Sequence, residues 1–108
     1  MSGAGDSRRD PEDQALAEFT GRWTKALACF STTTKPQWKR TQEAMVCFKG
    51  LPLDHLPQKL RRRIDAHFAW INSILERYPL KTWDDYQKVS AADLTRIEKI
   101  IDALADPD

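Results

Sequence analysis

PEDQALAEFTGRWTKALACFS, residues 11 to 31, is the stretch on which the fold turns. Its large apolar residues Leu16, Phe19, Trp23, Leu27 and Phe30 recur at spacings of 3, 4, 4 and 3. On a helix of about 3.6 residues per turn that spacing stacks them into one stripe. The start is punctuated as well: Asp10 suits an N-cap, Pro11 the first helical position, and Glu12 and Asp13 the positive end of the helix dipole. Gly21 falls on the opposite face, where it weakens the helix a little and leaves the stripe whole. The stretch predicts an amphipathic helix over 11–31, and no run elsewhere alternates apolar and polar residues long enough to make a strand.

Upstream, residues 1–9 are rich in Gly and Ser, show no periodicity, and read as a flexible leader to a single helical domain over 10–106. Downstream, Ser31 to Thr34 interrupt the pattern. Thr34 and Pro36 open a second helix, about 35–49, in which Trp38, Thr41, Met45 and Phe48 keep helical spacing until Gly50. A loop with Pro52 and Pro57 follows, with Asp54 as the expected cap of the next helix. That third helix, about 55–78, is expected to be the longest and the central one. Leu60, Ile64, Phe68, Ile71, Leu75 and Tyr78 form its stripe, and His67, Trp70 and Ile74 widen the apolar arc to about 160°. Pro79 ends it. Thr82 with Asp85 and Ser90 with Asp93 then read as two capping boxes, opening a short helix over 82–89 and a final one over 91–105 that carries Leu94, Ile97, Ile101 and Leu104. The fold class is therefore all-α, a small four- to five-helix bundle whose core includes Phe19, Trp23, Ile64, Phe68, Ile71 and Ile97.

Composition bounds the function. With 108 residues, 41% hydrophobic and 31% charged, the chain suits one globular domain. Its longest apolar runs fall far short of the roughly 20 residues that cross a bilayer, and its first residues lack the apolar stretch of a secretory signal. The expected location is the cytoplasm. Cys29 and Cys47 are too few for a disulfide scaffold or a metal site of their own, and spacing alone does not decide whether they pair. His55 at a helix start and His67 beside an apolar stripe read as structural. No glycine-rich phosphate loop occurs, and the acidic pairs Glu12-Asp13 and Asp84-Asp85 belong to helix starts. These absences point away from an enzyme, a cofactor or a metal.

Two features remain as functional leads. Residues 35–63 carry eight Lys and Arg against two acidic residues, whereas both ends of the chain are acidic. Lys39, Arg40, Lys59 and Arg62 would join into a phosphate-binding surface if the second and third helices packed as an antiparallel pair. The competing structural reading is a solvated face offset by the acidic ends. The other lead is a strip of small residues on the third helix, Ala66, Ala69 and Ser73, that either seats the first helix or docks a partner, with Trp70 and Trp83 as exposed anchors. The outline of a helix-turn-helix over 82–104 is set aside, because Asp93, Glu98 and Asp102 on its second helix would meet phosphates. The expectation is a non-enzymatic helical subunit or adaptor that binds another protein, with non-specific nucleic-acid binding through 35–63 as the alternative.

Overall fold

The computed structural model describes residues 11–32 and 34–104. The expected leader, the expected N-cap Asp10 and the last residue of the expected final helix, Ala105, lie outside them. The described chain forms helices α1 (Pro11–Ser31), α2 (Gln37–Cys47) and α3 (Gln58–Leu75), a 3₁₀ helix (Trp83–Lys88), and α4 (Ala91–Asp102). No strand occurs among the described residues. The protein is an all-α bundle.

α1 has the bounds its periodicity predicts. The other helices are shorter than expected, each for a local reason. α2 begins at Gln37 because Pro36 is extended, with φ −65° and ψ 158°, and serves as its N-cap. Beyond Cys47 the chain tightens, Phe48 N–H donating to Met45 O at 3.1 Å, and Gly50 turns it with φ 73°. Only a residue without Cβ takes that left-handed conformation cheaply. Pro57, also extended, replaces Asp54 as the N-cap of α3. At the far end of α3, Tyr78 N–H donates to Leu75 O at 3.0 Å in a closing turn before Pro79.

α1 and α2 are the most extensively packed pair, and charge locks them together at both ends. Neither helix has a basic residue in its own last turn. Each receives one from the other: Arg22 of α1 donates to the carbonyls of Lys49 at 2.6 Å and Cys47 at 3.4 Å, and Arg40 of α2 donates to Phe30 O at 3.2 Å. A cation at a helix C-terminus opposes the negative end of the dipole. Glu18 holds Arg22 in place from one turn earlier at 2.7 Å.

α4 touches α1, α2 and α3, and α2 also receives the 3₁₀ helix, so α2 and α4 form the middle of the bundle. This corrects the expectation for α3, which spans 18 residues against 21 for α1 and packs along α4. Its apolar arc is narrower than the sequence suggests, because Trp70 lies outside the buried face and His67 is only half-buried. Phe19, Ile64, Ile71 and Ile97 are buried as expected, while Trp23 and Phe68 are half-buried. Trp23 donates from its indole to Ile101 O at 2.8 Å, and Phe68 meets Phe48 edge-on with ring centres 5.2 Å apart. Ile97 and Ile101 are fully enclosed, each contributing about 1.5–3 kcal/mol by leaving water.

Candidate functional site

The residues singled out as a phosphate surface divide into two groups. Arg40 is half-buried and engaged with the end of α1, and Lys39 lies with its ammonium 5.7 Å from the Trp38 ring centre. Lys59 instead borders a groove of about 430 Å³ with Leu16, Phe19 and Thr20, near the start of α1. Thr20 and Phe30 are separated by about 15 Å of helix. The backbones of α2 and α3 do not pack as a pair, so the two groups do not form one continuous surface. Lys59 and Arg62 are exposed and make no ion pair among the described residues.

The strip of small residues is open. Ala66, Ala69 and Ser73 are all exposed, because α1 packs on α2 and leaves this side of α3 uncovered. Trp70 is 62% exposed beside them. It borders an open groove of about 580 Å³ with Ser73, Ile74, Arg77 and Arg96. Trp83 does not join this face: it belongs to the 3₁₀ helix on α2, stacked on Tyr86 with ring centres 5.9 Å apart, and is 39% exposed. Burial pushes the Tyr86 hydroxyl up to about 12.

Two residues that line the Trp70 groove, Arg77 and Arg96, belong to a polar cluster that sequence reasoning did not find. Asp93 is buried, and its Oδ1 accepts from Arg77 Nη2 and Arg96 Nη1, each at 3.2 Å. The Tyr78 hydroxyl donates to Asp93 Oδ2 and accepts from the Ser90 backbone N–H at 3.3 Å. Ser90 caps α4 by accepting from Asp93 N–H at 3.2 Å. The Tyr78 hydrogen bond first, then the two guanidinium charges, hold the Asp93 carboxyl below the usual carboxylate range against the opposing effect of its burial. The cluster joins the end of α3 to the start of α4 and leaves both arginines more than half exposed. Its one legible trace was the Ser90 and Asp93 pair; Arg77 and Tyr78 meet it only across a loop.

The remaining chemistry-bearing residues have structural surroundings. Both cysteines are free thiols. Burial, and then the neighbouring Cys47 thiol, push Cys29 up to about 11. His67 Nδ1 donates to Arg63 O at 2.8 Å along its own helix, and His55 is exposed. Asp85 accepts from the backbone N–H groups of Lys81 at 2.7 Å and Thr82 at 3.0 Å, as its capping role predicts, and these bonds lower its pKa. Among the described residues no three His, Cys, Asp or Glu side chains are grouped to hold a metal ion, and no helix is long and apolar enough to cross a membrane. Compared with known proteins, the chain matches no family model, no curated protein and no solved structure.

Proposed function

We propose that this chain is a non-enzymatic helical binding module, a subunit or adaptor that docks a partner protein on the outer face of α3. The observation that carries the reading is Trp70, 62% exposed on a helix whose isoleucines all face inward. A large aromatic left in water beside small residues and two arginines has the composition of an interface centre, where Trp and Arg are enriched and truncation costs most. Ala66, Ala69 and Ser73 let another backbone come close. The alternative, phosphate-backbone binding, draws on Lys59 and Arg62 alone, since Lys39 and Arg40 are engaged elsewhere.

Co-purification from native lysate, with and without nuclease, tests the reading when wild type is compared with Trp70→Ala. A partner retained after nuclease and lost in the variant is the expected result. Association that nuclease abolishes, and that Trp70→Ala leaves intact, would favour nucleic acid. In that case binding to labelled oligonucleotides would fall steeply with salt, by a log–log slope of about 0.9 for each neutralised phosphate on duplex DNA.

A further inference from the structure

The outer face of α3 has a charge pattern as well as an anchor. At one end, Arg77 and Arg96 converge on a single oxygen of a buried carboxylate, so two cations stand over one anion with more than half of each side chain exposed. At the other end stand Lys59 and Arg62, without ion pairs among the described residues. Arg62 and the end of α3 at Leu75 are about 20 Å apart along the helix, and Arg77 lies just beyond in the closing turn. Between them the exposed residues are Ala66, Ala69, Trp70 and Ser73, with Asp65, Asn72 and Glu76 along one flank. The exposed acids Asp65 and Glu76 border the face on the side away from Trp70, about 40° and 20° round from Ala69.

We infer that this face accepts an acidic amphipathic helix of a partner protein. Its central apolar side chains cover Trp70, and its carboxylates meet Arg77 and Arg96 at one end and Lys59 and Arg62 at the other. The inference rests on the docking reading of α3 and adds the chemistry of the occupant. Small residues in the middle permit close helix-on-helix approach, cations at both ends fix its register, and opposite charge excludes basic partners. A nucleic-acid backbone fits less well. It presents phosphates without an apolar ridge to cover Trp70.

The probe is a displayed library of amphipathic helical peptides panned against the full chain. The expected outcome is enrichment of Asp and Glu on both sides of an apolar ridge, with the selected peptides shifting the Trp70 indole resonance. Trp70→Ala should weaken them by about tenfold or more. The double variant Lys59→Glu with Arg62→Glu, which disturbs no described ion pair, should do the same, and lysines placed at the matching end of the peptide should restore binding to that variant. Thermal melting confirms that both variants are folded. Peptides without acidic bias that still depend on Trp70 would overturn the acidic helix and leave the docking face standing. Selected peptides indifferent to Trp70→Ala would overturn the docking face itself. Failure to select any binder, an oligonucleotide shifting Trp70 where peptides do not, or self-association lost in Trp70→Ala would each overturn the assignment.

Discussion

Gly21 and Gly50 have opposite roles. Gly21 sits in the middle of α1, exposed, with nothing within 4 Å of where a Cβ would stand. Gly21→Ala should therefore stabilise the protein by about 0.5–1 kcal/mol through the lower chain entropy that alanine loses on entering a helix. Gly50 holds φ 73°, and Gly50→Ala should cost about 1–2 kcal/mol at an equally open position. Denaturant midpoints of the two variants should move in opposite directions. Thr41 offers a third test: it is fully buried and its hydroxyl has no hydrogen-bond partner among the described residues. Thr41→Val, which removes the unpaired group and keeps the shape, should raise stability by about 1 kcal/mol. Cys29, with its thiol near 11, should hold roughly a hundredfold less thiolate at neutral pH than an ordinary cysteine and alkylate correspondingly slowly with iodoacetamide. Both glycines were legible in the sequence, one by its place against the stripe and one by its place after it. The thiol environment was not, because it depends on how α1 lies on α2.

The ends of the elements show what periodicity does and does not reveal. α1 is bounded as read because Pro11 opens it and its stripe runs out at Ser31. α3 is shorter than expected at both ends: His55 to Pro57 carry no feature that distinguishes a helical turn from the extended approach to one, and at Arg77 and Tyr78 the chain tightens into i→i−3 hydrogen bonds that apolar spacing does not reveal. Trp70 and the small strip were singled out, but their exposure was not decided, because the sequence does not say which helix α1 will choose. The α3–α4 junction gives this scale its pH test. Asp93 has a pKa below that of an unfolded carboxylate, so its contribution is fully present above about 3.9 and is lost as the pH falls through the lower folded value. Asp93→Asn should melt at a lower temperature than wild type at neutral pH, and the gap should narrow in acid. Melting curves that stay parallel through acid would show that the carboxylate charge has no share in the junction.

For the molecule as a whole, the contrast between Ile97 and Trp70 separates what folds the chain from what it presents. Ile97 is fully enclosed on α4, which reaches the other three α-helices, and Ile97→Ala should cost about 2–5 kcal/mol. Trp70→Ala should change the melting temperature little, since most of that side chain is already in water. Such a variant separates binding from stability. The helical class and most of the core follow from apolar spacing alone, whereas the arrangement does not, since several pairings of these stripes would bury similar area. The arginine clasp between α1 and α2 helps decide among those pairings, and it bears on motion. Because each helix tethers the frayable last turn of the other, neither end can open without exposing the carbonyls that its partner's guanidinium holds. Amide protons near Phe30 and near Cys47 should accordingly exchange with solvent deuterium at closely matched opening energies, as one cooperative unit. Arg22→Ala should then quicken exchange near Phe30, on a helix end that Arg22 does not touch.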